Sequence, residues 1–246
     1  MQQHTYSIMY RVEGTHWWFA GRRRIIAGFL EQIISDLDLK DRRPHILDVG
    51  CGTGANLELL GQYGEAEGVD VSEDALEFCR ARGLQSVRRG AAEQLPYEDC
   101  SFDLVTALDV VEHLDDDVAG LSEMRRVLRT GGRALLFVPA FMFLWGVQDD
   151  VSNHRRRYTL SGLRRVVRAA GFEVERATYA NITFFAPILL GRALMRATGL
   201  RPASENNINV PALNGILGRI LGAESLWLRR RNLPFGVSAL CVARRA

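Results

Sequence analysis

A glycine-rich turn between an apolar segment and a helix-like segment constrains the fold of this chain more than any other feature. Residues 45–49 form a short apolar run that contains Asp48, and the helix-like segment begins near Ala55. Glycine lets the backbone turn tightly and pass close to a bulky ligand. The arrangement therefore predicts a ligand site at the end of the first strand of an α/β domain. The turn carries its glycines at alternate positions, Gly50, Gly52 and Gly54.

A second apolar run ends in an acid, Asp70, which follows Asp48 by 22 residues. A carboxylate at the end of a second strand suits a ribose, because it can accept hydrogen bonds from both ribose hydroxyls. The two runs together predict a nucleoside-binding α/β domain. The G-x-G-x-G spacing differs from the dinucleotide-binding fingerprint G-x-G-x-x-G, in which the third glycine packs the helix on the strand.

Strand-like and helix-like segments alternate along the chain, which is typical of a parallel sheet with helices on both faces. An amphipathic helix is predicted over residues 21–37, and further helices begin near Ala55, Glu73, Val118 and Leu160. We expect a Rossmann-like α/β fold with a seven-stranded, mostly parallel sheet and an added helical cap. The predicted strands are residues 45–49, 66–71, 84–88, 102–108, 134–138, 172–179 and 237–243.

The connection between the last two predicted strands is long for such a fold, since it covers about residues 180–236. Its apolar parts, residues 182–193 and 213–228, are helix-like, and residues 202–211 are loop-like. Large exposed apolar patches are rare on monomers, so this insertion must bury against a binding pocket, a second copy of the chain or a membrane surface. We expect it to roof a pocket, with a homodimer as the second choice. The side chains predicted to be buried there are Ile182, Phe184, Phe185, Ile188, Leu189 and Leu190.

Composition and charge argue against several classes of protein. The formal net charge of +2 gives no reason to expect nucleic-acid binding. The 4 cysteines lie far apart without a C-x-x-C pair, so we expect free thiols and no metal site. The N-terminus lacks the pattern of a signal peptide, and no apolar stretch is long enough to span a bilayer. We therefore expect a cytoplasmic protein without a transmembrane segment.

Four further motifs follow the glycine-rich turn in a fixed order. Together with the turn and Asp70, they resemble the class I S-adenosylmethionine (SAM)-dependent methyltransferases over about residues 44–140. The H-W-W-F start at residues 16–19 resembles a bacterial subgroup of the type 11 methyltransferases, which are similar to the ubiquinone and menaquinone methyltransferases. The four motifs are G-A-A-E-Q-L-P at residues 90–96, S-F-D-L-V at 101–105, D-V-V-E-H-L at 109–114 and L-R-T-G-G at 128–132, the last with Thr130 in place of the usual proline.

The resemblance implies SAM as the cofactor, with S-adenosyl-L-homocysteine (SAH) as its product. One departure concerns Ala91, which stands where the family usually has an acid that accepts from the adenine amino group. That hydrogen bond would be absent, or would come from Glu93 or from the backbone. The cofactor-binding residues implied by the resemblance are Asp48, Gly50, Cys51, Gly52, Gly54, Asn56, Asp70, Val71, Ala91, Ala92, Glu93, Leu108, Asp109 and His113.

Methyl transfer from a sulfonium chiefly needs positioning and exclusion of water, and it needs a base only where the nucleophile must lose a proton. The candidate catalytic residues are His113 and His154, although His113 could instead start a helix and pack on the cofactor. An arginine run beside His154 suits a carboxylate or phosphate of the substrate, or it forms a solvated charged segment. The predicted substrate contacts are Trp17, Trp18, Trp145, Arg155, Arg156 and Tyr158.

The sequence therefore predicts a SAM-dependent methyltransferase that acts on O, N or C of a small or lipid-like molecule, with an acidic group on that molecule as an option. Two alternatives stay open: a non-catalytic SAM-binding partner or scaffold, and a NAD-linked oxidoreductase on a similar sheet. Against the second alternative, the chain lacks the glycine spacing of such oxidoreductases and a recognisable S/Y-x-x-x-K motif for hydride transfer. We divide the chain into an N-terminal aromatic lid and helix (1–43), a SAM-binding core (44–180), a helical insertion (181–235) and the last core strand (236–246).

Overall fold

Seven strands form a single sheet in a computed structural model that describes residues 3–40, 42–199 and 211–246. The strands are β1 (His45–Val49), β2 (Glu65–Asp70), β3 (Val87–Arg89), β4 (Phe102–Leu108), β5 (Leu128–Pro139), β6 (Glu173–Ala180) and β7 (Ser238–Arg244). Their spatial order is β3-β2-β1-β4-β5-β7-β6. The pairs from β3 to β5 are parallel, whereas β7 is antiparallel to both β5 and β6. The expected seven-stranded, mostly parallel α/β sheet is confirmed.

Helices connect the strands, and side-chain caps fix where several of them begin. The hydroxyl of Ser72 accepts from the backbone N–H of Ala75 at 3.3 Å, and that of Thr159 accepts from Gly162 at 3.1 Å, as N-cap residues do. The helices are α1 (Gln3–Val12), α2 (Trp17–Ser35), α3 (Ala55–Leu60), α4 (Glu73–Ala81), α5 (Asp117–Val127), α6 (Val147–Ser152), α7 (Leu160–Ala169), α8 (Phe185–Thr198) and α9 (Pro211–Leu228), with 3₁₀ turns at Val111–His113 and Met142–Leu144.

The strand register brings the segments that matter for function to one edge of the sheet. Val49, the last residue of β1, pairs with Val69 of β2 and with Ala107 of β4. The glycine-rich turn, Asp70 and the residues after β4 therefore leave the sheet side by side. Open α/β sheets bind their ligands at such carboxyl ends.

Most differences from the sequence-based prediction lie at the ends of elements. Helix α2 begins at Trp17, so the three neighbouring aromatic residues occupy its first turn, and the side chain of His16 caps it by accepting from Trp18 N–H at 3.3 Å. Helices α1 and α6 were not predicted. Strand β5 begins before the predicted segment, because the turn that contains Gly131 stays bonded to the chain end, with Gly131 N–H donating to Arg245 at 2.7 Å.

The long connection between β6 and β7 forms helices α8 and α9, as predicted. Helix α9 packs closely along α2, where a Cβ on Gly21 would lie 2.7 Å from the side chain of Leu221. Of the predicted loop over 202–211, residues 202–210 lie outside the described residues. The prediction that Leu190 is buried is wrong: it is 69% exposed, because α8 is apolar around much of its circumference and only one side faces the protein. None of the helices in the described ranges is long and apolar enough to cross a membrane.

Candidate active site

The glycine-rich turn follows β1 in a conformation that residues with a side chain would not tolerate. Gly50 has φ +69°, and a Cβ there would lie 2.4 Å from the side chain of Val110. The turn is fixed by its neighbouring strand, since the N–H groups of Gly50 and Cys51 donate to the carbonyl of Val69 at 2.7 and 3.1 Å. At Gly52, with φ +54°, a Cβ would meet nothing within 4 Å, so the backbone there faces open space.

The carboxylate of Asp70 is held against this turn by two backbone donors. Its Oδ2 accepts from Gly52 N–H at 2.9 Å, and its Oδ1 accepts from Ser72 N–H at 2.9 Å. Burial raises the pKa of Asp70, while these two donors oppose the rise. Each oxygen keeps a lone pair for a further donor, so the carboxylate can still accept a pair of hydroxyls on a ligand.

Asp48 lies behind the turn and does not line the cavity described below. Its carboxyl is buried and accepts from the hydroxyl of Thr106 at 2.6 Å. Burial raises the pKa of Asp48 to about 7, and the charge of Asp70 adds to the rise, against the opposing hydrogen bond from Thr106. In this structure Asp48 is therefore a support for the turn rather than a residue that contacts the ligand space.

A cavity of about 620 Å³ extends from the glycine-rich turn to helices α2 and α8. Its two ends differ in character. Near the turn, the lining includes Gly50, Cys51, Gly52, Asp70, Ala92 and Glu93. Away from the turn, the lining includes the aromatic and aliphatic side chains of Trp17, Trp18, Ile26, Phe184, Ile188 and Met195, together with Arg22, Arg23 and Arg192.

The structure brings most of the predicted cofactor residues to this cavity. The exceptions are Asp48, Gly54 and Ala91. Gly54 caps helix α3 with φ +90°, and Ala91 forms a short bridge with Gln94. The predicted residues that do line it are Gly50, Cys51, Gly52, Asn56, Asp70, Val71, Ala92, Glu93, Leu108, Asp109 and His113.

Only two of the six predicted substrate contacts, Trp17 and Trp18, are among the described residues that line the cavity. Trp145 instead donates from its indole to Asp150 at 2.9 Å. The other three, Arg155, Arg156 and Tyr158, bind the segment after β4, and the prediction that they line the pocket is wrong. Arg155 donates to His113 O at 3.0 Å, Arg156 donates to Asp117 at 2.9 Å, and the Tyr158 hydroxyl donates to Asp117 at 2.8 Å.

The third arginine of that run, Arg157, does line the cavity, where it belongs to a charged cluster below the two histidines. It donates to both oxygens of Asp149, at 2.8 and 2.9 Å. The ring Nδ1 of His154 lies 2.8 Å from the same carboxylate. Burial would raise the pKa of Asp149, but the hydrogen bonds from His154 and Arg157 lower it to about 2. Asp149 is therefore a fixed anion that orients the ring of His154.

The two candidate catalytic residues meet in space. The rings of His113 and His154 lie 4.8 Å apart, centroid to centroid, and both line the cavity. Burial lowers the pKa of His113 to about 4, and the neighbouring His154 adds to the effect. His113 is thus a neutral imidazole near pH 7, with one ring nitrogen able to accept.

Helix α1, which the sequence-based prediction missed, also lines the cavity. Tyr6, Met9 and Glu13 border the end that contains the glycine-rich turn. Glu13 accepts from Arg82 at 2.6 Å and from the hydroxyl of Thr53, which ties the segment after α1 to the turn. The apolar spacing of Tyr6, Met9 and Tyr10 is the signal that could have revealed this helix.

Comparison with known proteins agrees with this geometry. The family described as a methyltransferase domain matches residues 47–136. A protein of Encephalitozoon cuniculi named as a methyltransferase is 30% identical over 155 residues, which cover 54% of this chain and 72% of that protein. The chain belongs to the SAM-dependent methyltransferase family. SAM is therefore the cofactor of this methyltransferase.

Two further similarities concern the family and its fold. A Mycolicibacterium smegmatis protein named as an S-adenosylmethionine-dependent methyltransferase is 34% identical over 134 residues, covering 53% of this chain and 52% of that protein. This methyltransferase thus spans about half the length of that relative. The structure of Haemonchus contortus phosphoethanolamine N-methyltransferase 2 in complex with SAM matches with a TM-score of 0.54 at 19% identity, over 88% of this chain and 52% of that one. That match concerns the fold alone.

Proposed function

We propose that this methyltransferase transfers the methyl group of SAM to an oxygen, nitrogen or carbon atom of a small, largely apolar or lipid-like acceptor. The observation that carries the proposal is the continuous cavity, which has a glycine-rich, polar end and an aromatic end. In-line displacement at a sulfonium requires donor and acceptor to occupy one water-poor space. A single cavity of two chemical characters meets that requirement.

The proposed position of SAM is the end that contains the glycine-rich turn. Asp70 is buried, oriented by two backbone N–H donors and placed at a strand end, which favours it as the acceptor of the ribose hydroxyls. The open space next to Gly52 would accept the remainder of the nucleoside or the methionine part. Ala92 and Glu93 line the same end and are the proposed neighbours of the adenine.

The proposed position of the acceptor is the aromatic end. Trp17 packs on Phe184 at the start of α8, with 4.5 Å between ring centroids, so that helices α2 and α8 meet over the cavity. Ile188 and Met195 extend the apolar lining along α8. We infer that α8 and the aromatic first turn of α2 form the roof of the acceptor pocket. Such a lining favours an acceptor with an apolar ring or chain.

The proposed contact for the reacting atom of the acceptor is the histidine pair. His113 and His154 are polar groups on the cavity wall, and their rings lie 4.8 Å apart. The Nδ1 of His154 is occupied by Asp149, which leaves Nε2, 3.8 Å from Oε1 of Glu112, as the ring nitrogen that could bind a ligand. Among the described residues, four arginines line the cavity, and each already donates to an oxygen of the protein: Arg22 to Asp109, Arg23 to Glu13 O, Arg157 to Asp149 and Arg192 to Leu144 O. The proposed acceptor therefore does not need an acidic group.

A substrate series tests this proposal. The purified protein is incubated with SAM labelled in its methyl group and with para-alkylphenols or alkylamines of increasing chain length. We expect transfer of label to rise with chain length until the apolar end of the cavity is filled, and Trp17→Ala to flatten that dependence. Trp227→Ala is the matched control, because Trp227 is 53% exposed and lies on the outside of α9. Transfer that is independent of chain length in the unsubstituted protein would overturn the apolar-acceptor proposal.

A further inference from the structure

A buried carboxyl group next to the two histidines has no hydrogen-bond partner. Glu112 is fully buried in the 3₁₀ turn after β4, and neither of its side-chain oxygens makes a hydrogen bond. Its Oε1 lies 3.8 Å from Nε2 of His154. Leaving a buried polar group unpaired costs free energy on the order of 1–3 kcal/mol, so such a group calls for a partner.

Glu112 and the two histidines converge on one point. Each can offer one ligand atom, and the three atoms lie within 4.8 Å of one another. Around a four-coordinate zinc ion with bonds of about 2.0–2.1 Å, neighbouring ligand atoms stand roughly 3.3 Å apart. A small rotation of the side chains would bring the three ligand atoms to the separation that a zinc ion requires. The carboxyl group of Glu112 can rotate without breaking a hydrogen bond, because it makes none.

The surroundings of both histidines fit metal coordination. A histidine that binds a metal commonly donates its other ring N–H to a carboxylate or a backbone carbonyl, which fixes the ring and its tautomer. His154 has Asp149 at 2.8 Å from Nδ1. The ring of His113 hydrogen bonds to the backbone of Asn153. Each ring is thus oriented by one hydrogen bond, and its other nitrogen can coordinate a metal ion.

The nearby charges leave room for a cation. Arg22 and Arg157 are the cations that act on Glu112. Each is paired, Arg22 with Asp109 and Arg157 with Asp149. Both arginines therefore already have an acidic partner other than Glu112.

We propose that Glu112, His113 and His154 bind one divalent first-row transition metal ion, such as Zn²⁺, in the wall of the cavity. Two imidazole nitrogens and one carboxylate oxygen suit Zn²⁺, Fe²⁺ or Co²⁺, whereas Mg²⁺ and Ca²⁺ prefer sites made of oxygen. His113 and His154 line the cavity, so an open coordination position would face the acceptor. On the proposed function, that position would hold the reacting oxygen or nitrogen of the acceptor and lower its pKa.

The site was not visible in the sequence, because its ligands come from two distant segments. Glu112 and His113 follow β4, and His154 follows α6. The spacing of histidines and cysteines along the chain predicts no metal site. The ligands meet only because β4 and β5 are neighbours in the sheet, so the segments that leave their carboxyl ends lie together.

The test uses the full chain, first dialysed against a chelator and then titrated with Co²⁺, whose visible absorption reports coordination by imidazole and carboxylate. We expect one Co²⁺ per chain, displaced by Zn²⁺. Glu112→Gln and His154→Ala should each weaken binding at least tenfold, and Asp149→Asn should weaken it about 10–100-fold by releasing the ring of His154. His45→Ala is the matched control, since His45 pairs with Glu65 at 2.9 Å on the surface, and it should bind Co²⁺ like the unsubstituted protein.

Binding of SAH to each variant serves as the check that it is folded. Absence of Co²⁺ binding by the unsubstituted protein would overturn the metal site. Binding by Glu112→Gln and His154→Ala as tight as that of the unsubstituted protein would also overturn it. Transfer that a chelator leaves unchanged, together with no Co²⁺ binding, would reject the site and leave the proposed function standing, with Nε2 of His154 as the proton acceptor. Co²⁺ binding without any methyl transfer would support the metal site and reject the proposed function.

Discussion

At the scale of single residues, Asp48 is the group whose ionisation most directly affects stability. Its folded-state pKa of about 7 lies above its ordinary value of 3.8, so the folded protein binds this proton more tightly than the unfolded chain. The Asp48 contribution to stability is therefore fully present below about pH 4 and is lost as the pH rises to about 7. The loss amounts to at most about 1.4 kcal/mol per pH unit.

Asp48→Asn removes this titration while keeping an oxygen that can accept from Thr106. We predict that the variant is more stable than the unsubstituted protein at pH 8, and that its advantage shrinks towards pH 4. Urea unfolding at both pH values measures the difference. Asp38→Asn, at an exposed acid, is the control and should change stability by less than about 0.5 kcal/mol at either pH. A difference between Asp48→Asn and the unsubstituted protein that does not vary with pH would contradict the account.

Sequence reasoning at this scale succeeded where chemistry and spacing are local. The glycines of the turn and Asp70 belong to one continuous pattern, and the structure places Gly50, Gly52 and Asp70 at the cavity. It failed for Arg155 and Arg156. A run of arginines predicts an anionic partner, but it does not show whether that partner is a substrate or an acid of the same chain. Here the partners are Asp115 and Asp117 of the same chain.

At the scale of elements, the packing of α9 on α2 is the contact that anchors the insertion. Leu221 is fully buried between the helices and fills the space that the absent side chain of Gly21 leaves. We predict that Leu221→Ala lowers the free energy of unfolding by about 2–5 kcal/mol, through lost burial and the cavity that remains. Leu226→Ala, on the same helix but 70% exposed, should change it by less than about 0.5 kcal/mol. Chemical denaturation compares the two, and equal effects would show that α9 is not anchored through this face.

Elements with a clear apolar period were predictable. Strand β4 has the predicted bounds, Phe102–Leu108, because every residue in it is buried and polar turns flank it. Helix α6 was missed because it is only 6 residues long, too short for a helical period to emerge. Its Asp149 nevertheless orients His154, so a short element decides the geometry of the site.

At the scale of the whole molecule, the sheet and the proposed cofactor end of the cavity follow from the sequence, and the proposed acceptor end does not. Family motifs cover the strands up to β5, and these position the glycine-rich turn and Asp70. The proposed acceptor end is assembled from α2, the segment after β4 and α8. Trp17 and Phe184 are far apart in sequence, and only tertiary packing brings their rings to 4.5 Å. No local pattern encodes that distance.

Calorimetric titration with SAH tests the central claim, that the buried Asp70 end of this cavity holds the nucleoside of SAM. We predict saturable binding of one SAH per chain, much tighter than that of NAD. Asp70→Ala should weaken it by about 2 kcal/mol, roughly thirtyfold, through loss of charge-assisted hydrogen bonds to the ribose. Glu77→Ala, an exposed position on the neighbouring helix α4, should leave the affinity unchanged. Equal affinity of Asp70→Ala and the unsubstituted protein for SAH, or tighter binding of NAD than of SAH, would contradict the account.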